Sequence, residues 1–467
     1  MDRDDTRPTT EEDRSAAYIR AYMGRARAAQ EVFELKSQKE TDEAVRAVAR
    51  TVYDNAEELA EMAVAETGMG NVPDKILKNR QKARIIWNSL KGKRSKGIIE
   101  RDEGAGVTKI AKPMGVVAAI TPMTNPIVTP MSNAMFALKG GNAIIITPHH
   151  RATGCSGETV ARIRKALVAL GLPTDLVQIL DEHSRENTRN LISSADVVVA
   201  TGGSGMVRAA YSSGRPALGV GAGNVQCIID RGADISVAVP KIVTGRAFDN
   251  GILWSAEQSV ICPDDAFEAI LREFERNGGY VVRDAARKEA LRNAIFADGA
   301  MNRGAIGRPA EAVARAARID VPADTKVLVV LADGPGEADV LAKEKMCPVI
   351  AAYRYSTFDE ATGIAKANLE SEGKGHSVCI HSDSAENIER AALALSASRF
   401  VVNQVCATSA GGSFFNGLAP TNTLGCGSWG HNSISENLDY KHLINVSRIA
   451  YNMEGNPVPS DEELWSL

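Results

Sequence analysis

Asn125 stands in Thr121-Pro122-Met123-Thr124-Asn125-Pro126, directly after the apolar run Gly115 to Ile120. A side-chain NH₂ at the carboxyl end of a buried strand can donate to an oxyanion as it forms. The plainer alternative is a proline-bounded turn with Asn as turn former. The next apolar run ends in Ile146-Thr147-Pro148-His149-His150-Arg151. A small basic cluster at such a strand end suits a phosphate, and two adjacent histidines also suit a solvated loop. No further ligand at useful spacing accompanies them, so no metal site is expected. Thr201-Gly202-Gly203-Ser204-Gly205-Met206 follows a third run, Asp196 to Ala200. Glycines there let backbone amides approach a pyrophosphate at a helix N-terminus. The spacing is not G-x-G-x-x-G, and a glycine-rich turn alone is a weak signal.

Those motifs need strands to carry them. Gly115 to Ile120, Ala143 to Ile146, Asp196 to Ala200 and Val225 to Ile229 are apolar without alternation, the pattern of strands covered on both faces. Between them, Ser156 to Leu170 places Val160, Ile163, Leu167 and Leu170 on one helical face, with Gly171 and Pro173 as stop signals. Repeated strand–helix–strand units predict a doubly wound α/β domain. A second α/β series follows Asp230, with strands predicted at 259–262, 326–331, 348–353, 377–381 and 399–403. The first third reads as helices over 11–36 and 40–66, preceded by a flexible lead-in of ten residues. Val107 to Lys112 and Leu443 to Tyr451 suit a projecting flap.

The 467 residues exceed one ordinary domain. A composition 44% hydrophobic and 24% charged, with net charge −4, gives no reason to expect nucleic acid or an anionic membrane as partner. Met1-Asp2-Arg3-Asp4-Asp5 lacks the apolar core of a signal peptide, and the apolar runs fall far short of the ~20 residues that span a bilayer. Seven cysteines without a C-x-x-C pair argue for reduced thiols in a cytoplasm, and against a disulfide framework or zinc site.

Phe248-Asp249-Asn250-Gly251-Ile252-Leu253-Trp254-Ser255-Ala256-Glu257-Gln258 resembles the nucleophile loop of CoA-acylating aldehyde dehydrogenases, F/Y-D-N-G-x-x-C-x-x-E-Q. The motifs above are similar to that family's T-P-x-T-N-P, S/T-P-H-P-R-A and A-T-G-G-x-G-M-V. Glu344-Lys345-Met346-Cys347-Pro348-Val349 resembles its E-K-x-x-P-V, and Thr423-Leu424-Gly425-Cys426-Gly427-Ser428-Trp429-Gly430 its T-L-G-C-G-S-W-G. The resemblance runs from about residue 20 to residue 465. It implies a Rossmann-type cofactor domain with N-terminal helices (1–106, 113–235, 405–440), an α/β catalytic domain (236–404) and an oligomerisation flap (107–112, 441–455). It further implies Asn125 as oxyanion donor and nucleotide or CoA binding by Thr121, Pro122, Thr147, His149, His150, Arg151, Thr201, Gly202, Gly203, Gly205 and Gly221. Glu344, by itself an ordinary helix-end glutamate, becomes the holder of the nicotinamide ribose. The co-substrates implied are coenzyme A and NADP or NAD, with His150 in place of the family's proline favouring NADP. A homo-oligomer, dimer or tetramer, is expected.

Hydrolytic aldehyde dehydrogenases carry a glutamate in the segment equivalent to Ser213 to Asn224, whereas Ser212 to Ile229 holds no Asp or Glu. Without a positioned base, water attack on a thioester is slowed by about 10² to 10⁴, which favours transfer to a thiol. The later motifs look most like the branch acting on short anionic aldehydes, and the loop Val405-Cys406-Ala407-Thr408 tilts the reading toward sulfoacetaldehyde over succinate semialdehyde. Arg246, Gln404 and His431 are the candidates to meet the substrate anion. At the position that carries the chemistry the chain departs from the family: Trp254 stands where the catalytic cysteine belongs. Three readings follow: a point substitution on an otherwise intact enzyme, a relocated nucleophile at Ser255 or Cys406, or a non-catalytic binding or assembly homologue.

Overall fold

Thr10 opens the first helix by accepting the amide of Asp13, whose carboxylate returns the bond to the Thr10 amide, a closed capping box. This is a computed structural model, and it describes residues 10–466; the rest of the expected lead-in lies outside the described residues. Four helices follow in succession: α1 (Glu11–Glu34), α2 (Gln38–Asp54), α3 (Ala56–Thr67) and α4 (Val72–Leu90). The single helix expected over 40–66 divides at Asn55, whose backbone leaves the helical region. In α2, Ala44, Val45, Val48, Ala49 and Val52 form one buried stripe. Each such valine is worth about 1.5–3 kcal/mol on leaving water.

Three sheets organise the remainder. β1 (Gly97–Asp102) and β2 (Val107–Pro113) pair antiparallel. A five-stranded sheet contains β3 (Val116–Thr121), β4 (Ala143–Pro148), β5 (Val177–Ile179), β6 (Val197–Ala200) and β7 (Ala217–Gly219), in the order β5-β4-β3-β6-β7. All its pairings are parallel. The chain leaves β3 toward one edge and returns to the other side through β6, so the crevice of this doubly wound sheet lies between the carboxyl ends of β3 and β6. Every residue of β3 and β4 is buried, as unbroken apolar runs require.

The second parallel sheet contains β8 (Val225–Ile229), β9 (Glu257–Pro263), β10 (Gly279–Val282), β13 (Val327–Leu331), β14 (Val349–Tyr355), β15 (Gly375–His381) and β16 (Ala397–Val402). Its order is β10-β13-β14-β9-β8-β15-β16. The short ladder of β11 (Phe296–Ala297) and β12 (Ala300–Met301) stands apart. β17 (Ile444–Ala450) returns to pair with β2 and completes the flap.

Three boundaries differ from the sequence reading. Gly97–Asp102, assigned there to the N-terminal region, is a flap strand; its two apolar residues, Ile98 and Ile99, are half-buried and followed by the exposed Glu100, Arg101 and Asp102, too brief a signal to announce a strand. Val225–Ile229 sits inside the seven-stranded sheet, paired with β9 and β15. Within 405–440, Cys406, Ala410, Leu424 and Cys426 pack in the core of that second sheet, whereas Leu438 joins the first. None of the described helices is long and apolar enough to cross a membrane.

Candidate active site

The segment 248–258 is fastened on both sides of residue 254. Asp249 and Asn250 take left-handed backbone angles, φ 50° and 54°, a region that non-glycine residues enter only when their surroundings hold them. The holding groups are specific. The fully buried Asp249 carboxylate accepts from Lys75 (3.0 Å), Lys78 (2.5 Å) and the Asn71 amide (3.1 Å). Asn250 donates to the carbonyls of Gly70 and Gly307. A Cβ on Gly70 would lie 1.8 Å from Asp249 Oδ1, so only glycine admits that carboxylate. On the far side, the buried Glu257 accepts the Cys406 amide (2.7 Å), and Gln258 accepts the Lys345 amide (2.8 Å). Burial alone would raise the Asp249 carboxyl; Lys78 and Lys75 outweigh it and hold it below the usual range. Burial and the neighbouring Lys78 lower Lys75 to about 8.

Between these anchors, Trp254 is partly buried and packs its backbone against Gly223, where a Cβ would stand 2.0 Å from Trp254 O. The Gly223 backbone also adjoins the Glu344 carboxyl, which burial and then Glu372 push up to about 8. Glu372 accepts the Glu344 amide at 2.7 Å. Glu344 Oε1 is buried without a partner among the described residues, as are the hydroxyls of Thr121 and Thr124. Buried oxygens normally find partners, so an acceptor from Glu344 and two hydroxyls at the end of β3 fit a polar ligand such as a ribose.

The basic cluster lies at the rim of the same crevice. The His149 amide donates to Thr121 O, tying the ends of β3 and β4 together. The rings of His149 and His150 stack with centroids 4.2 Å apart. Burial, together with the charges of His150 and Arg151, lowers His149. Arg151 is exposed and reaches Thr67 O. Thr147 and Thr188 share a hydroxyl contact at 3.4 Å. Thr201 Oγ1 meets Thr423 Oγ1 at 2.9 Å, and a Cβ on Gly221 would touch Cys426 Sγ at 3.3 Å, so the 421–430 loop closes over the strand ends. Gly202 lies two residues beyond β6, and Gly203 and Gly205 flank the helix start at Ser204 with nothing within 4 Å of their missing side chains. That space is open to a ligand's approach.

Neither substitute nucleophile is suited to the work. Cys406 is fully buried, and the neighbouring Cys379 thiol together with burial pushes its own thiol well up. Ser255 Oγ donates to Ala407 O at 2.8 Å and is buried. The sequence offers no metal ligand set, yet folding brings Cys227, Cys379 and His381 within 4.8 Å of one another. They lie sealed in the second core, with Cys379 Sγ 3.6 Å from His381 Nε2.

Residues 5–298 match the aldehyde dehydrogenase family. Along almost its whole length the chain is similar to a succinate-semialdehyde dehydrogenase (acetylating) from Clostridium kluyveri, 51% identical over 96% of this chain and 98% of that one. A sulfoacetaldehyde dehydrogenase from Acholeplasma sp is 40% identical over 95% and 93%. The crystal structure of an acetylating aldehyde dehydrogenase from Geobacillus thermoglucosidasius superposes with a TM-score of 0.92, 36% identity, and 96% and 100% coverage. The chain belongs to the CoA-acylating aldehyde dehydrogenases.

Within this aldehyde dehydrogenase frame, one candidate for the substrate anion is withdrawn. Arg246 is fully buried and donates to the carbonyls of Gly251, Glu257, Lys345 and Cys347, at 2.5 to 3.1 Å. It is a brace for the 251–258 turn; burial lowers it to about 10. Gln404 is half-buried, with its oxygen accepting from Asn416. His431 is exposed in a left-handed turn after Ser428–Gly430. The structure does not join these three into one pocket. Sequence reasoning missed His183, lowered by burial and facing His150. It also missed Glu372, and the inward row Lys75, Lys78 and Lys82 of α4. The last had a signal: three lysines at helical spacing on the stripe that otherwise packs inward.

Proposed function

We propose that this protein is built to oxidise a short anionic aldehyde to its CoA thioester with NAD(P)⁺, and that it carries Trp254 where that reaction takes its thiol. The observation that supports this most directly is Gly223. Its missing side chain admits the backbone of residue 254, and its own backbone adjoins Glu344, so the nucleophile position and the ribose-type acceptor are neighbours. The dinucleotide supplies a hydride acceptor when bound. The chain's own residues do the rest: Glu344 and Thr121 orient that ligand, and His149, His150 and Arg151 offer positive charge to its phosphates, with NADP favoured. Asn125 donates to the carbonyl oxygen as it gains charge. Indole is not among the nucleophiles that form acyl intermediates, and its bulk fills the position where the aldehyde should meet sulfur. The protein as written therefore lacks the acylation step.

The far end of the aldehyde is anionic in this reading, with succinate semialdehyde ahead of sulfoacetaldehyde. The greater identity to the succinate-semialdehyde enzyme supports that order. The loop that favoured sulfoacetaldehyde is largely buried around Cys406, so its departure is explained by packing. Assembly through the flap belongs to the same reading, supported by exposed Ile449, Tyr451, Val458, Leu464 and Trp465 on β17 and the tail behind it.

The test compares this chain with Trp254→Cys, following NAD(P)H with each aldehyde and CoA. Activity appearing only after the substitution supports the proposal. Absence of activity in both, with tight dinucleotide binding retained, moves the reading to a non-catalytic binding subunit.

A further inference from the structure

Helix α4 carries Lys75, Lys78 and Lys82 toward the protein interior, an uncommon use of three ammonium groups. Lys82 donates to Gly411 O and Thr421 O and has a structural task. Lys75 is bound to Asp249. Lys78 has two partners: Asp249 Oδ2 at 2.5 Å and Asn125 Oδ1 at 2.7 Å. It is 6% exposed. The Asn125 amide oxygen is thus fixed on an ammonium, which settles the orientation of the amide and aims its NH₂ away from α4.

We propose that Lys78 is the positioning residue for the oxyanion donor, and that Asp249 couples it to the loop bearing residue 254. Two effects follow from the contact. The ammonium prevents Asn125 from flipping, because the reversed amide would set NH₂ against NH₃⁺. It also draws electron density toward Oδ1, which strengthens the opposite N–H as a donor in a low-dielectric site. The carboxylate that holds Lys78 is on the nucleophile loop itself, so donor and nucleophile position share one fixed reference. Asp249 leaves that loop in its left-handed turn, and Lys78 leaves α4 toward both. The groups facing Lys78 are Asp249, Asn125 and the neighbouring ammoniums of Lys75 and Lys82.

This inference rests on the proposed roles of Asn125 and position 254, so its test uses a reaction that needs neither dinucleotide nor the correct aldehyde. In the Trp254→Cys protein, the acylation burst with p-nitrophenyl acetate depends on the thiol and on oxyanion stabilisation. Into that background go Asn125→Ala, Lys78→Met and the pair together. Removing an oxyanion donor costs about 10²- to 10³-fold, and Lys78→Met is expected to slow the burst by about tenfold or more. The double variant should be no slower than Asn125→Ala, because Lys78 acts through that residue. Additive losses would assign Lys78 to general stability and overturn the inference. Lys78→Gln, which keeps a polar but uncharged side chain, provides the same cycle if the methionine variant fails to fold. A burst without NAD(P)H formation would reject the substrate reading and leave this inference standing. Absence of a burst from Trp254→Cys alone would reject both.

Discussion

The two sides of the crevice differ in how far their charged groups are held by partners inside the protein. At the ends of β3, β4 and β6, hydroxyls of Thr121 and Thr124 stay without partners, glycines leave open space, and the histidine–arginine cluster faces outward. Around residue 254, buried charges are committed within the protein: Asp249 to two lysines, Arg246 to four carbonyls, Glu257 to an amide. Under the proposed function, the first side offers these groups to the dinucleotide. The second holds its charges on partners inside the protein, although Arg246 Nε, Glu257 Oε2 and Gln258 Nε2 are buried without a partner among the described residues. The residue type at 254 therefore decides the chemistry without deciding the shape.

The comparison breaks most sharply at residue 254. Trp254→Cys should raise acyl-CoA formation by about 10³-fold or more, the scale on which catalysis by an enzyme depends on its nucleophile. Thermal stability should change far less; a collapse of the fold in that variant would show that the frame depends on the indole. Next in size is the brace. Arg246→Met should cost about 3 kcal/mol or more in chemical denaturation, because four buried carbonyls lose a charged donor together. An unchanged midpoint would mean the turn holds without it. Gly223→Ala drives a Cβ against Trp254 O and should cost about 1–3 kcal/mol through forced backbone movement.

Glu344 sharpens the comparison through pH. Its folded-state value, about 8, lies above the 4.5 of the free group. The stability linked to its neutral form is complete below about 4.5, declines as pH rises, and is gone above about 8. Glu344→Gln should remove that slope and leave stability flatter across this range. The check is a denaturation series from pH 5 to 8.5. The smallest effect belongs to the rim: Arg151→Ala should weaken NADP binding by about tenfold and NAD binding by less, measured by titration. Equal losses would remove the preference for NADP.

Much of this architecture was legible because burial on both faces leaves an unmistakable mark on sequence. β3 and β4 read as unbroken apolar runs, and the site motifs follow strands where a doubly wound sheet puts its ligands. What escaped has physical reasons. Gly97–Asp102 is a strand by pairing, not by apolarity. Val177–Ile179 and Ala217–Gly219 are three residues each, too short to establish a period. Arg246 carries the same charge whether it meets a substrate anion or binds carbonyls in the core, and only tertiary structure tells the two apart. Cys227 comes from β8, and Cys379 and His381 from β15, so no spacing announces that the three meet. Asp249, by contrast, was visible as part of a motif, while its partners on α4, more than 170 positions earlier, were not.

Gly70 and Asp249 have a consequence for inheritance. The socket that the missing side chain leaves for this carboxylate fixes the turn several residues upstream of 254, and Glu257 and Gln258 clamp the chain just downstream. A mutation between the clamps can abolish turnover while the polypeptide still folds, so quality control that senses only unfolded chains would pass it. Under the proposed function, loss of reactivity here leaves the fold intact, and Trp254→Cys is the single change expected to restore it.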